Sequence, residues 1–267
     1  MSAFDQDTRL QPSGDQAWSG HVSPAWNIGA NPNGGYLLAL AARALREALP
    51  THPDPLSVTV HYLRPGLSDQ PCRIDTRILR TGRSLATARA TLMQDDTPRL
   101  EVLAALGDLG KVGEPMLAPA APLLPEPDRC MPRSGEGQAI ALPIVDRVDV
   151  RLDPATSAAG GPPRAEVAGW IRLRDGRAPD ALASLLFVDA FPPAVFGLLG
   201  PVGWVPTVSL TVQLRRRPGP GWMMARFRTE DLQDGRLLED GTLWDGQGHL
   251  VAQSRQLALL LPPGSGR

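Results

Sequence analysis

Leu56-Ser57-Val58-Thr59-Val60-His61-Tyr62-Leu63-Arg64-Pro65 is answered later in the chain by Val208-Ser209-Leu210-Thr211-Val212-Gln213-Leu214-Arg215-Arg216-Arg217. Both stretches alternate apolar and polar side chains with the period of two that a half-buried strand requires. The likeness extends outward on both sides. Each stretch is preceded by an apolar segment of helical length, residues 35–49 and 180–199, and followed by long alternating segments. Thr81-Gly82-Arg83-Ser84 then returns, at about the same interval, as Asp234-Gly235-Arg236-Leu237. Shared order over three elements predicts a duplicated helix-then-strands unit.

In the first unit the segment Tyr36-Leu-Leu-Ala-Leu-Ala-Ala-Arg-Ala-Leu-Arg is apolar almost all round. That predicts an enclosed helix, entered through the turn cluster Asn31-Pro32-Asn33-Gly34-Gly35. Alternation over 57–63, 72–80, 84–94 and 100–106 is broken at Arg64-Pro65-Gly66, Thr81-Gly82-Arg83 and Asp95-Asp96-Thr97-Pro98, and predicts an antiparallel meander. The second unit opens with strand-like segments at 144–152 and 165–173. A helix over 180–191, stopped by Pro192-Pro193, and strands over 207–214, 223–230, 235–245 and 249–261 are expected to follow. Between the units, residues 112–137 are dominated by proline, glycine and alanine and read as a surface linker. The expected organisation is therefore an N-terminal unit over 1–111 and a C-terminal unit over 138–267, both in the α+β class.

A chain of 267 residues is long enough to bury a substantial core. Its net charge of −1 gives no electrostatic case for nucleic acid or an anionic membrane surface. Cys72 and Cys130 lie far apart without CxxC spacing, and His21, His52, His61 and His249 are scattered without ligand spacing. Neither a metal nor a cofactor is expected. The N-terminus lacks a basic region followed by an apolar stretch, and no apolar run is long enough to span a bilayer, so a cytoplasmic protein without membrane insertion is expected. No GxSxG elbow, phosphate-binding glycine loop or HExxH helix is present.

Between Asp180 and Arg215 the chain carries one charged side chain, Asp189, inside the apolar run Ser184-Leu-Leu-Phe-Val-Asp-Ala-Phe-Pro-Pro. An ionised carboxylate is costly to bury unless hydrogen bonds or a counter-charge offset its desolvation. Asp189 is thus either a functional carboxylate, a helix residue that reaches solvent, or the cap of a following turn.

Asn33-Gly34-Gly35-Tyr36 at the first helix, Tyr62-Leu63-Arg64-Pro65-Gly66 and Arg80-Thr81-Gly82-Arg83-Ser84 resemble the first half of the type II acyl-CoA thioesterases. Val188-Asp189, Pro206-Thr207 and Val251-Ala252-Gln253-Ser254-Arg255-Gln256 resemble the second half. The resemblance covers almost all of the chain outside the linker and the first dozen residues. It implies a double hot-dog fold, in which two helices are each wrapped by an antiparallel sheet and the sheets join into one. It also implies an acyl-CoA substrate and a site of three residues. Asp189, Thr207 and Gln256 would hold the water that attacks the thioester carbonyl, Asp189 taking its proton while two neutral groups fix its orientation.

Taken singly, Thr207 reads as the start of a strand, and Gln256 reads either as solvent-facing or as part of the site. Gly34 and Gly35 read equally as an ordinary turn or as oxyanion donors, because a glycine-led helix N-terminus presents free N–H groups. Phe187, Phe191 and Trp204 are expected along an apolar acyl channel. Ser209, Leu210 and Gln213 stand where related sequences commonly carry an acid or histidine, which leaves substrate preference open. The first helix has no acid between Tyr36 and Arg46, so one working site per chain is expected. A hot-dog dehydratase would need a histidine near a helix, and His61 reads instead as a packed or rim residue. The expected activity is acyl-CoA hydrolysis by Asp-activated water; the alternative is an acyl-thioester binding protein that keeps the fold with little turnover. Broad sheet faces and edges predict a homo-oligomer.

Overall fold

In the computed structural model, which describes residues 1–111, 113–134, 140–157, 164–200 and 203–262, Thr59 and Thr211 are paired across two antiparallel strands. Their hydroxyls are 3.1 Å apart although 152 residues separate them in sequence. The interval of the sequence repeat is therefore also the separation across its own seam, which places a pseudo-twofold axis between these two threonines.

The first unit runs α1 (Ala3–Asp7), β1 (Gln11–Gly14), β2 (Ala17–Val22), the two-residue strands β3 (Asn27–Ile28) and β4 (Asn31–Pro32), α2 (Gly34–Ala48), β5 (Asp54–Tyr62), β6 (Gln70–Thr81), β7 (Ala86–Gln94) and β8 (Thr97–Gly107). The second runs β9 (Met131–Pro132), β10 (Val148–Leu152), α3 (Pro154–Ser157), β11 (Glu166–Leu173), α4 (Ala181–Phe187), α5 (Phe196–Leu199), β12 (Thr207–Leu214), β13 (Met223–Gln233), β14 (Arg236–Asp245) and β15 (Leu250–Leu259). Among the described residues, thirteen of these strands form one sheet in the order β1-β2-β6-β7-β8-β5-β12-β15-β14-β13-β11-β10-β9. About the β5–β12 seam the partners are β8 with β15, β7 with β14, β6 with β13 and β2 with β11. This is the double hot-dog arrangement of the α+β class.

The two helices lie inside this sheet and pack on each other. Leu37, Leu38, Leu40 and Leu45 of α2 and Leu182, Leu185, Leu186 and Phe187 of α4 are all buried, each such side chain contributing roughly 1.5–3 kcal/mol relative to exposure. Each helix starts at its own cap, Asn33 Oδ1 accepting from Tyr36 N and Asp180 Oδ1 from Ala183 N.

Several expectations are corrected. β5 does not open a meander: it pairs with β8 and β12, because the strand at the seam must have a partner on each side, and residues 63–69 carry the chain away to β6. The helix expected over 180–191 ends at Phe187, where the bonds tighten to Asp189 N–Leu186 O (3.1 Å) and Ala190 N–Phe187 O (3.4 Å). Residues 143–146 form a 3₁₀ turn before β10 instead of belonging to it. The proline-rich segment is largely exposed over 113–129, and it is pinned to the second unit by the indoles of Trp244 and Trp170, which donate to Pro119 O and Pro125 O. Its last described residues are not a spacer, since Cys130 and Arg133 are buried and β9 pairs with β10. Val112 and residues 135–137 of the expected linker lie outside the described residues.

Candidate active site

The N-terminus of α2 meets the last turn of α4, and glycine makes the approach possible. A Cβ on Gly35 would lie 2.8 Å from Leu185 O and 2.9 Å from both Leu186 O and Asp189 Cβ. With only hydrogen at that position, Gly35 N donates to Asp189 Oδ2 at 2.8 Å. Asn33 Nδ2 donates to the same oxygen at 2.9 Å and to Asp189 O at 2.7 Å, while its other amide atom caps α2. The helix dipole and these donors favour the carboxylate, whereas its partial burial opposes ionisation. Burial is the larger effect and lifts the Asp189 pKa to about 6, with the Gly35 N–H, the charge of Arg133 and Asn33 acting against it. A carboxyl poised there is a better base near neutral pH than an exposed aspartate.

Gly34 and Gly35 are thus given a different acceptor from an oxyanion. Gly35's hydrogen is committed to Asp189, and the Gly34 amide also stabilises that carboxylate.

Thr207 reaches the same cavity through an irregularity in β12. Leu210 pairs with Gln256 and Ser209 with Leu257, but Thr207 pairs with Ala258, so Val208 is an extra residue in the ladder. Side chains directly opposite share a face. Without the bulge, Thr207 would fall on the face opposite Leu210 and Gln256; with it, Thr207 joins them. Thr207 Oγ1 donates to Gln256 Oε1 at 2.9 Å. Gln256 Nε2 donates in turn to Glu239 Oε1 at 2.9 Å.

Asp189, Thr207, Gln256 and Glu239 line one cavity of about 650 Å³. Its apolar wall includes Leu37, Val188, Phe191, Phe196, Phe227 and Leu259, and Trp204 is also at its edge. Phe191 packs on Phe227 with ring centroids 5.1 Å apart. Phe187, expected beside them, is absent from the lining: it is fully buried on the side of α4 that faces the core. Tyr62 lines the cavity as well, and its hydroxyl is buried with no hydrogen-bond partner among the described residues. Burial, reinforced by the nearby Asp189, holds the Tyr62 pKa well above its usual value, so the phenol is a neutral donor.

Comparison with known proteins gives the family and the fold. Residues 22–110 match the acyl-CoA thioesterase N-terminal domain, and residues 125–260 match the acyl-CoA thioesterase C-terminal domain. The chain belongs to the acyl-CoA thioesterase family. An uncharacterized protein of Mycobacterium tuberculosis is 31% identical over 273 residues, covering 92% of this chain and 91% of that one. A provisionally named thioesterase II of Thermobifida fusca shares the fold with a TM-score of 0.88 and 34% identity over 98% of each chain. A hot-dog protein of unknown function from Alicyclobacillus acidocaldarius has a TM-score of 0.85 and 25% identity, covering 98% of this chain and 99% of that one.

Four polar residues lining this family member's cavity, Asn33, Tyr62, Arg133 and Glu239, are given no role by the sequence alone. Asn33 and Tyr62 stand there only as members of a turn cluster, a repeated strand and the motifs of the resemblance. Arg133 arrives from the proline-rich segment, is buried in the cavity wall and donates through Nη1 to Ala190 O; burial lowers its pKa to about 10, and the charge of Asp189 partly offsets this. Glu239 did carry a signal, because β14 places Leu237, Glu239, Gly241 and Leu243 on one face and an acid among them is out of place. Leu238 and Asp240 on the other face blurred the alternation. Among the described residues no cluster of three or more His, Cys, Asp or Glu could hold a metal, and no helix is long and apolar enough to cross a membrane.

Proposed function

We propose that this chain hydrolyses an acyl-CoA thioester to a free acid and CoA, with Asp189 drawing a proton from the attacking water and Thr207 and Gln256 orienting that water. The observation that carries the reading is the placement of a base-competent carboxylate, held by helix-terminal amides, in one apolar-walled cavity with a neutral Thr–Gln pair. Asp189 supplies the proton acceptor, and the two neutral groups add orientation without competing charge. Tyr62 is the neutral donor available to the thioester oxygen as it gains charge, since the α2 amides are engaged elsewhere.

The test is thiol release by the purified protein from acyl-CoAs of graded length. Each methylene buried contributes roughly 0.8 kcal/mol, so kcat/KM is expected to rise up to about fourfold per methylene until the cavity is full, then level or fall. Binding of acyl-CoA without release of thiol at any length would replace this reading with the accessory-protein alternative.

The pH dependence follows from the same groups. Burial raises Asp189 to about 6 and Glu239 to about 7, with Arg133 pulling Asp189 down and Asp189 pushing Glu239 up. Because the base must be ionised, kcat/KM is expected to fall as pH drops from about 7 to about 5. A flat profile over that interval would exclude a base with a pKa raised to about 6.

A further inference from the structure

Glu239 stands in the wall of the same cavity beside Gln256, and its side chain is buried. On one side its Oε2 accepts from Ala194 N at 2.7 Å and Thr229 Oγ1 at 3.2 Å. On the other, Oε1 accepts from Gln256 Nε2, and Gln256 Oε1 accepts from Thr207 Oγ1. A carboxylate only accepts, so it turns the Gln256 amide with its NH₂ inward and its oxygen toward Thr207. That oxygen takes the Thr207 hydroxyl proton and leaves the threonine's lone pairs for the cavity.

We infer that Glu239 is a positioning residue of the hydrolytic reaction: acting through Gln256, it fixes Thr207 as a hydrogen-bond acceptor toward the attacking water. With Asp189 accepting one water proton and Thr207 the other, the water's remaining lone pairs are free for the thioester carbon. If the chain ran the other way, Thr207 would donate to the water, taking up one of its two lone pairs, lowering its nucleophilicity and turning it away from the geometry in which both protons point to protein acceptors. The three-residue chain thus selects which end of the water faces the substrate. This rests on the thioesterase reading above and adds a fourth residue, one whose two carboxylate oxygens are both engaged by protein donors and which acts through Gln256.

Glu239→Gln tests it. Ala194 N is a fixed donor, so the new amide must put its oxygen there and its NH₂ toward Gln256. The Gln256 amide then turns over, and Thr207 is left to donate into the cavity. At pH 8.5, where Glu239 is ionised in the wild type, kcat is expected to fall about ten- to hundredfold with KM within about twofold.

The informative partner is the swap Glu239→Gln with Gln256→Glu. The amide at 239 then donates to a carboxylate at 256, which again takes the Thr207 proton, so the original direction returns at unchanged net charge. Gln256→Glu alone sets two carboxylates face to face and is expected to be poorly active. The swap should exceed each single variant in kcat by about tenfold or more, with thermal melting of the folded variants reported alongside. A merely structural Glu239 would lower the melting temperature without this kcat rescue. Wild-type kcat in Glu239→Gln, or a folded swap no faster than either single variant, would overturn the inference while wild-type thiol release stood. Should Glu239→Gln not fold, the swap against Gln256→Glu decides. Absence of thiol release by the wild type would instead remove the thioesterase reading, and this inference with it.

Discussion

Asp189→Asn is expected to lower kcat for acyl-CoA hydrolysis by ~10²–10⁴-fold, the usual contribution of a general base, while acyl-CoA still binds. The replacement is nearly isosteric, and its amide oxygen can keep the Gly35 and Asn33 bonds that Oδ2 now accepts. What it cannot do is accept the water's proton. The same variant carries a stability signature of defined sign. Because burial raises the folded pKa to about 6 from 3.8, the folded chain binds this proton more tightly than the unfolded chain does. Stability is therefore lost as pH rises from the unfolded value to the folded one, and the deficit is complete above it. An asparagine has no such deficit. Asp189→Asn is thus expected to be more stable than wild type at pH 8, by at most about 2–3 kcal/mol, and no more stable at pH 4. Urea unfolding at the two pH values, beside steady-state kinetics, checks both. Near wild-type turnover would make the carboxylate structural and the proposed mechanism wrong.

Gly35→Ala is expected to cost both stability and activity. Helix propensity alone favours alanine by roughly 0.5–1 kcal/mol. The added Cβ, however, would meet Leu185 O at 2.8 Å and Leu186 O at 2.9 Å, and backbone atoms of a packed helix turn cannot swing aside. Overpacking of this kind costs about 1–3 kcal/mol, so the clash wins. Relief requires α2 to draw back from α4, which lengthens the Gly35 N–H bond to Asp189 and misplaces the base. Melting several degrees below wild type and kcat/KM reduced by about tenfold or more are expected. Gly34→Ala is the comparison. Its nearest contacts are the Asp189 carboxylate at 3.0 Å and the Tyr62 ring end at 3.1 Å, side-chain atoms with some freedom to move. It should keep more stability than Gly35→Ala; the reverse order would mean that the helix contact is not where the strain falls.

The chain by itself determined a good deal, wherever local pattern was sufficient. Alternation of side chains set the long strands, and the unbroken apolar surface of α2 marked an enclosed helix. The echo of Leu56–Pro65 in Val208–Arg217 disclosed the duplication, since two copies of one unit keep one order of elements. Asp189 also declared itself, as a charge in an apolar run. Other features depend on relations that no local window contains. That β5 sits at the seam and not in a meander follows from which strand ends meet. The extra residue Val208 moves Thr207 onto the cavity face, a parity that alternation along β12 alone assigns the other way. Gly35 and Asp189 meet across 154 residues because two helix ends abut, and Arg133 enters from a segment whose composition reads as a spacer. Glu239 acquires its partners from β13, β15 and the loop at Ala194. Periodicity reports how a residue stands relative to its neighbours in sequence, whereas a hydrogen-bonded site is a set of distances between elements, and only the folded sheet and its helix pair decide those.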